Sequence, residues 1–289
     1  MTVEDGRGTE GYFAFLRERY RILLRRRAGE PAPWTQDPVL QSWRFCNVRR
    51  EDDRVTEWFR DNIRDPLKEH SSVLFATTAF RWFNTIGTGE AIRPWLLGPW
   101  NRKEVQRVLK ERLDAGETLF TGAFMVNSAP GIPKYIDVLD NLDWMRLHGP
   151  GPLTRGESKK QLMGELLRVP RLGNFAAYQI VVDLQYTYLL RDAPDLQTFT
   201  VAGPGCAKGI SLMAYDQPSG FYSYGSVGDQ EKMLRVMRDC RDASLDPKLW
   251  PSEWPPFVLS DIENGFCEYA KWRTGHEGQR LKRKFTPQA

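Results

Sequence analysis

The sequence predicts a mainly α, multi-helix fold. Apolar residues recur at the spacing of amphipathic helices along most of the chain, and convincing alternating strand patterns are scarce. A content of 41% hydrophobic and 27% charged residues is ordinary for a globular protein. No apolar run approaches the roughly 20 residues that a membrane span needs, and the acidic N-terminus lacks the apolar region of a signal peptide. We therefore expect a cytoplasmic protein with no membrane partner.

The helical spacing places the elements in order along the chain. Over 12–27, apolar residues repeat every three or four positions while arginines occupy another face. Helical patterns follow over 38–47, 51–63, 66–84, 101–115, 134–147, 206–215, 228–242 and 257–273, with a helical hairpin over 158–190. Glycine and proline mark 88–100 and 127–133 as loops. The best strand candidate, 120–126, fits a helix equally well.

A segment rich in glycine and proline at 147–158 marks the expected domain seam. It divides an N-terminal helical region, 1–150, from the region 151–289, which contains the hairpin and the C-terminal helices. Because 289 residues allow one large domain or two smaller ones, a single continuous domain is the alternative.

Composition narrows the chemistry that we expect. The four cysteines form no CxxC pair and the three histidines are scattered, so we predict reduced thiols and no metal site. The net charge of +4, with basic clusters near both ends, fits either a polyanionic partner or solvated arginine faces. Ten tryptophans and 15 phenylalanines fit either a bulky helical core or a pocket that stacks on flat rings.

The segment LLRVPRLGNFAAYQIVVDLQY, 166–186, has a tight turn between two helical patterns. A glycine in such a turn lets backbone N–H groups approach a phosphate, toward which the second helix directs its positive end. The alternative is an ordinary turn with glycine as the C-cap. The residues that we predict to contact DNA are Arg168, Arg171, Gly173 and Asn174.

A second glycine-rich segment, AGPGCAKG at 202–209, leads into the next predicted helix. Its successive N–H groups and a nearby lysine could bind a phosphate or pyrophosphate. The alternative is that the glycines let two helices pack closely. The predicted phosphate-binding residues of this segment are Gly203, Gly205 and Lys208.

The segment 33–59 concentrates arginine, asparagine and aspartate between tryptophans. An asparagine can read a base edge, an arginine can hold a phosphate through two hydrogen bonds, and an aspartate can accept a proton. Salt-bridged packing is the alternative. The predicted site residues here are Asn47, Arg49, Arg50 and Asp53.

Near the C-terminus, LSDIENGFCEYAKWR at 259–273 places two carboxylates and a lysine close together on one helix. Such a face could bind an amine substrate or transfer protons. The alternative is pairing of glutamate with lysine within the helix. We predict a catalytic role for Glu263 and amine binding by Glu268 and Lys271.

The turn in 166–186 resembles that of the helix–hairpin–helix DNA glycosylases. The residues in step with that family's pattern are Pro170, Leu172, Gly173, Ala176 and Ala177. The resemblance implies a glycosylase-like helical fold and flipping of a base out of the duplex. Those enzymes place a catalytic aspartate farther beyond the second glycine than Asp183 lies, so removal of the base is the less favoured interpretation.

Several segments together resemble the α-glutamyl/putrescinyl-thymine pyrophosphorylases, also described as amino acid:DNA transferases. They are RERYRILLRRRAGEPAPWTQDPVLQSWRFCNVRREDDRVT, FRWFN, TGAFMVN followed by PK, LGNFAAYQIVVDLQYT, GPGCAKGI and IENGFCEYAKW. The resemblance spans about Arg17 to Lys271. The same helical module is similar to one joined to 5-hydroxymethyl-deoxyuridine DNA kinases in some phages. No P-loop is present, so kinase activity itself is not implied.

This resemblance implies hypermodification of thymine in phage DNA. An amino acid or polyamine amine would replace the (pyro)phosphate on the methylene carbon of phosphorylated 5-hydroxymethyluracil in double-stranded DNA, after a DNA kinase has supplied that phosphate. The host cytoplasm would be the location. No step requires a cofactor, although phosphate chemistry leaves room for Mg²⁺. The alternatives are a glycosylase acting on a modified base and a non-catalytic DNA-binding partner of a modification kinase.

The attacking amine must lose a proton, so a carboxylate should lie nearby. In order of preference we expect Asp183, Asp53 and Glu263. Asp183 comes first because a carboxylate buried on an otherwise apolar helix is suited to proton transfer. The alternative is that Asp183 is a buried carboxylate paired with an arginine from 44–54.

Overall fold

A computed structural model describes residues 8–121, 126, 128–150, 156–281 and 283–285. These residues are mainly α-helical, which confirms the predicted class, and they contain no β-strand. The α-helices are α1 (Gly8–Arg27), α2 (Pro38–Ser42), α3 (Arg54–Phe59), α4 (Val73–Phe83), α5 (Ile86–Leu97), α6 (Arg102–Asp114), α7 (Lys134–His148), α8 (Lys159–Leu166), α9 (Asn174–Leu184), α10 (Pro204–Tyr215), α11 (Val227–Ala243) and α12 (Leu259–His276). Most of the strand candidate at 120–126 lies outside the described residues.

The chain divides into two compact units. Unit 1 comprises residues 1–53 and 197–289, and unit 2 comprises 54–196. The expected seam at 147–158 falls within unit 2, and its residues 151–155 lie outside the described part of the chain. None of the helices in the described residues is long and apolar enough to cross a membrane.

Unit 1 packs α1 and α10 against α12 around an aromatic core. Tyr12 of α1 stacks on Phe266 of α12 with 4.2 Å between ring centroids, and its hydroxyl donates to the Ile262 carbonyl at 3.0 Å. Helix α10 approaches the α12 main chain so closely that a Cβ built on Gly209 would lie 2.1 Å from the Phe266 carbonyl oxygen. Glycine at this position is therefore a condition of the helix contact.

Asp37 connects α2 to α12 in the same unit. Its Oδ1 atom accepts hydrogen bonds from the N–H groups of Val39 and Leu40, at 2.8 and 2.9 Å, which makes Asp37 the N-cap of α2. Its Oδ2 atom accepts from the Trp272 indole at 2.8 Å. The same carboxylate therefore caps α2 and anchors it in the tertiary structure.

Unit 2 is organised around α4, whose residues are buried on nearly every side. Arg81 of α4 makes two hydrogen bonds to Asp183 of α9, from Nε to Oδ2 at 2.5 Å and from Nη2 to Oδ1 at 2.8 Å. The two side chains are only 3% and 0% exposed. The guanidinium also donates to Asn84 Oδ1 at 2.8 Å and lies 4.7 Å from the Phe59 ring centroid. A buried ion pair therefore joins two central helices of this unit.

The loop predicted over 88–100 is wrong for 88–97, because residues 86–97 form helix α5. Thr85 caps this helix by accepting a hydrogen bond from Thr88 N at 3.3 Å. Gly89, predicted to lie in a loop, packs closely against Trp58. A Cβ at this position would lie 2.5 Å from the Trp58 ring. Tertiary packing thus outweighs the low helix propensity of glycine and proline in this segment.

Gly209→Ala should destabilise unit 1, because the added methyl group would collide with the Phe266 main chain. We expect the free energy of unfolding, measured by urea denaturation, to fall by about 1–3 kcal/mol. Gly228→Ala in α11 is the matched control, since a Cβ at that position meets nothing within 4 Å. Alanine there should stabilise the helix by up to about 1 kcal/mol. Equal effects of the two substitutions would contradict the packing role.

Asp183→Asn should lower the free energy of unfolding by about 3–5 kcal/mol, because it removes the carboxylate that pairs with the buried charge of Arg81. Glu165→Gln is the control, since Glu165 forms an exposed pair with Arg168 at 2.9 Å. Removing that pair should change stability by about 1 kcal/mol or less. Urea denaturation followed by circular dichroism measures both. A variant of Asp183 as stable as the control would show that the ion pair is dispensable.

Candidate functional site

The predicted site residues fall in both units, and those with the most unusual environments belong to unit 1. There, the loop 44–53 is held by carboxylates of α12. Cys46 N donates to Glu268 Oε2 at 2.8 Å, and Arg50 N donates to Asp261 Oδ1 at 3.0 Å. The backbone conformation of the loop, and with it the position of its arginines, therefore depends on side chains more than 200 residues away in the sequence.

Asn47 helps to close the same loop on itself. Its backbone N–H donates to Asp53 Oδ1 at 3.0 Å, and its side-chain Nδ2 donates to the Asp52 carbonyl at 2.6 Å. Asp52 in turn lies within ion-pair distance of Arg27, at 3.0 Å, and of Arg49, at 3.8 Å. Salt-bridged packing, the alternative for this segment, thus accounts for part of the cluster. Reading of a base edge by Asn47 stays a prediction.

Arg49 retains hydrogen-bonding capacity in this environment. Its Nε is buried and has no hydrogen-bond partner among the described residues, while its side chain is 24% exposed. A guanidinium that is only partly paired can accept a further anionic partner such as a phosphate oxygen. Phosphate binding by Arg49 and Arg50 remains a prediction that this geometry permits.

Glu263 is a buried residue of α12 whose carboxylate faces the N-terminus of α10. Its Oε1 atom lies 3.5 Å from the N–H nitrogen of Gly203 and 3.7 Å from Cys267 Sγ. Burial raises the pKa of Glu263 to about 7, against the opposing effects of these two donors and of the positive charge of Arg50. At neutral pH the carboxyl group is therefore divided between its two protonation states, which suits a group that accepts a proton during catalysis.

Two further carboxylates near this loop have raised pKa values. Burial raises the pKa of Asp53 to about 6, opposed by the hydrogen bond from Asn47 N. Burial likewise raises the pKa of Asp261 to about 6, opposed by hydrogen bonds from the N–H groups of Arg50 and Val258. Asp261 is not among the site residues predicted from the sequence. The available signal was its position in the first turn of α12, where a carboxylate commonly accepts from the N-cap N–H.

The glycine-rich segment before α10 makes packing contacts. A Cβ built on Gly205 would lie 3.1 Å from Cys267 Sγ, and Lys208 Nζ donates to Thr274 Oγ1 at 2.7 Å. These contacts correspond to the alternative of close helix packing. Gly203 differs, because a Cβ there would meet nothing within 4 Å and its N–H faces a carboxylate. Phosphate binding by Gly203, Gly205 and Lys208 stays a prediction.

Glu268 and Lys271 form an ion pair on α12, with 3.4 Å between Oε2 and Nζ. Lys271 Nζ also donates to the Arg44 carbonyl and lies 4.4 Å from the centroid of the Phe45 ring. Intrahelical pairing, the alternative for these residues, is thus present in the structure. Both side chains also support the loop 44–53, and amine binding by them stays a prediction.

In unit 2, the connection between α8 and α9 is exposed at the residues predicted to contact DNA. Arg168 pairs with Glu165 at 2.9 Å, and Arg171 adopts a left-handed backbone conformation with φ of 64°. Gly173 is the N-cap of α9 with an ordinary φ of −79°, and a Cβ on it would meet nothing within 4 Å. The turn therefore needs no glycine for its backbone geometry, and the open space above it leaves room for a phosphate near Asn174.

Asp183, the first choice for the proton acceptor, is buried on α9 as expected, but its arginine partner is not the predicted one. It is fully buried in unit 2 and bound by Arg81, rather than by an arginine from 44–54. A carboxylate held on both oxygens by a guanidinium favours the structural alternative that the sequence left open. We therefore give Glu263 the first place among the candidate bases, followed by Asp53. Within the described residues, no group of three or more metal-ligating side chains is present.

Comparison with known proteins identifies the family. The family described as the helical domain of 5-hmdU DNA kinase matches residues 7–280. A 5-hmdU DNA kinase of Bacillus phage SP10 is 28% identical over 235 residues, which cover 71% of this chain and 36% of that kinase. The chain thus corresponds to only part of that relative, and no solved structure matches it significantly. Because the family match spans nearly its whole length, the chain belongs to the family of 5-hmdU DNA kinase helical domains.

Proposed function

We propose that the chain is a DNA-modifying transferase of phage thymine hypermodification. It joins the amine of an amino acid or polyamine to the methylene carbon of (pyro)phosphorylated 5-hydroxymethyluracil in DNA and releases (pyro)phosphate. The observation that carries the proposal is the environment of Glu263, a buried carboxylate whose pKa is about 7 and which is close enough to Arg50 to feel its positive charge. Proton acceptance beside positive charge is what this substitution needs.

The reaction forms one bond and breaks one bond at the methylene carbon. The amine nitrogen attacks as the carbon–oxygen bond to the leaving group breaks, and the amine proton passes to the Glu263 carboxylate. Arg49 and Arg50 stabilise the charge that develops on the departing phosphate. Asp53, with a pKa of about 6, is the next candidate for the base. The displacement consumes no redox equivalents, and adding or chelating Mg²⁺ tests whether the leaving phosphate needs a divalent cation.

The proposed DNA contact lies at the turn before α9. This helix has no side-chain hydrogen bond at its N-cap, and its first residue, Asn174, is exposed. The positive end of a helix and exposed arginines together attract a phosphate. Arg168 and Arg171 lie in the turn that leads into α9, and we propose that they bind the DNA backbone.

The family relationship supports the order of events. The relative from Bacillus phage SP10 is named a 5-hmdU DNA kinase, and such a kinase would supply the phosphorylated base that the proposed transferase consumes. A partnership with a kinase of this kind, in the cytoplasm of the phage host, is part of the proposal. The proposed substrates are double-stranded DNA carrying the phosphorylated base and an amino acid or polyamine.

A second candidate is a non-catalytic DNA-binding module. It is favoured by the observation that the matching family is described as a domain of a kinase, and that the match covers only 36% of the phage relative. Such a module would bind DNA and present it to a kinase without chemistry of its own. The two candidates differ in their product, since only the transferase changes the mass of the nucleoside.

The deciding experiment is mass spectrometry of nucleosides. Duplex DNA with phosphorylated 5-hydroxymethyluracil is incubated with the protein and a pool of amino acids and polyamines. A nucleoside with the mass of a methylene-linked amine adduct establishes the transferase and identifies the amine. Abasic sites instead would indicate a glycosylase, and unchanged nucleosides despite tight DNA binding would indicate the module.

Glu263→Gln should slow adduct formation by about 10²–10⁴-fold, because the amide cannot accept the amine proton. In the wild-type protein the rate should rise with pH through about 7, as the Glu263 carboxyl group ionises. Quantifying the adduct over time from pH 6 to 8 measures both effects. Glu231→Gln, at an exposed position of α11, is the control and should leave the rate unchanged. A Glu263→Gln variant with the wild-type rate and pH profile would remove Glu263 from the mechanism.

The raised pKa of Glu263 also predicts a pH dependence of stability. The folded pKa of about 7 exceeds the ordinary value of 4.5, so ionisation is harder in the folded state and stability is lost as pH rises through this range. Relative to Glu263→Gln, the wild-type free energy of unfolding should fall by about 2–3 kcal/mol between pH 5 and 8. Urea denaturation at several pH values measures this difference. A constant difference would mean that Glu263 titrates near its ordinary pKa.

A further inference from the structure

Unit 1 contains a cavity of about 310 Å³ that has four aromatic side chains in its walls. Trp34, Trp43, Phe45 and Phe285 line it, together with aliphatic and polar side chains. Its volume lies at the lower end of the roughly 300–1,000 Å³ that small-molecule sites occupy. Flat walls of this kind suit a planar ring, because ring faces stack with little conformational cost. None of its lining residues has a role in the transfer steps proposed above.

Positive charge at the cavity narrows the choice of ligand. Arg19 lines the cavity and is 7% exposed. Its Nη2 atom donates to the carbonyl oxygens of Phe45 and Cys46, at 3.3 and 2.8 Å, and its buried Nε has no partner within the described residues. Arg26 also lines the cavity, with its guanidinium carbon 5.3 Å from the Trp34 ring centroid. Two guanidinium groups repel an ammonium ion and favour a ring that carries electron-rich carbonyl oxygens.

Polar side chains at the cavity can form hydrogen bonds with the edge of a pyrimidine. Thr35 and Gln41 both line it, and Gln41 Nε2 donates to the Thr35 carbonyl at 2.6 Å. A hydroxyl and an amide supply both donors and acceptors, as the alternating carbonyl and N–H groups of a uracil ring require. A purely apolar cavity would offer no hydrogen bonds by which to distinguish a uracil ring from other flat rings.

The cavity adjoins the candidate site through Phe45 and Cys46. The Phe45 ring lines the cavity and has Lys271 Nζ 4.4 Å from its centroid. The next residue, Cys46, donates its N–H to Glu268. Arg19 contacts the carbonyl oxygens of both loop residues. A ligand in this cavity would therefore lie against the loop that carries Arg49 and Arg50.

We propose that this cavity receives the pyrimidine ring of a 5-hydroxymethyluracil nucleotide flipped out of duplex DNA. The identity of the base rests on the proposed function, whereas the cavity and its preference for a neutral, carbonyl-bearing ring rest on its lining residues. Trp43 and Trp34 supply stacking surfaces, and Arg19 supplies the positive charge. The amine substrate is thereby assigned to a different place from the base.

Base flipping can be measured without transfer chemistry. The full chain is titrated into duplex DNA that contains unphosphorylated 5-hydroxymethyluracil with 2-aminopurine next to it, whose fluorescence rises when stacking is lost. We expect a rise with the wild-type protein. Trp34→Ala and Trp43→Ala should weaken the flipped complex by about five- to 150-fold, the loss expected for one stacked base. Trp43→Phe, which keeps a ring, should retain most of the signal.

Trp144→Ala is the matched control, because Trp144 is a partly buried tryptophan of unit 2 outside this cavity. It should leave the fluorescence rise unchanged, and thermal unfolding verifies that every variant is folded. An undiminished rise in both cavity variants would overturn the proposal, as would the absence of any rise with the wild-type protein at saturating protein concentration. Variants that flip the base normally but need more amine for adduct formation would assign the cavity to the amine and overturn it equally.

The outcomes also separate this inference from the proposed function. A fluorescence rise that depends on Trp43, without any nucleoside adduct, would retain the base cavity and refute the transferase. Adducts formed equally well by wild type and by both cavity variants would retain the transferase and refute the cavity assignment.

Discussion

The contact between α10 and α12 is the constraint on which the candidate site depends. Gly209 lets the two helices meet at main-chain distance, and Gly205 lies against Cys267 one turn earlier. This approach places the Gly203 N–H opposite the Glu263 carboxylate. A larger residue at the contact would separate the helices. Glu263 would then be exposed to water, and the Gly203 N–H would move away from its carboxylate. The property that makes Glu263 a candidate base is thus a consequence of helix packing.

The two units use buried carboxylates in opposite ways. In unit 2, Asp183 is held on both oxygens by Arg81, so its charge is matched by a neighbour within the core. In unit 1, the nearest donors to Glu263 are a backbone N–H at 3.5 Å and a thiol at 3.7 Å. These long contacts compensate poorly for the loss of water, and the pKa rises to about 7. A buried carboxylate therefore stabilises unit 2, whereas in unit 1 another one titrates near neutral pH.

Membership of a family of kinase helical domains connects this chemistry to a biological order of reactions. The chain matches only one part of a larger phage protein. The sequence of this chain contains no phosphate-binding P-loop. A module that binds DNA would serve both a kinase and an enzyme that acts on the kinase's product. The two candidate functions, transferase and DNA-binding module, both require DNA binding. They differ in whether Glu263 and the loop 44–53 act on the bound base.

Local sequence patterns determined the helical class, the positions of most helices and the segments where charged and aromatic residues concentrate. They did so because helical periodicity and capping depend on residues only a few positions apart. The same locality explains the error at 88–100, where Gly89 serves a contact with Trp58 that no local pattern records. Only the tertiary structure decided which carboxylate is a plausible base. Asp183 receives its partner from 102 residues away, and Glu263 receives its donor from 60 residues away. The pKa of a buried group is set by such distant neighbours and by exclusion of water, and neither is visible in the order of the residues.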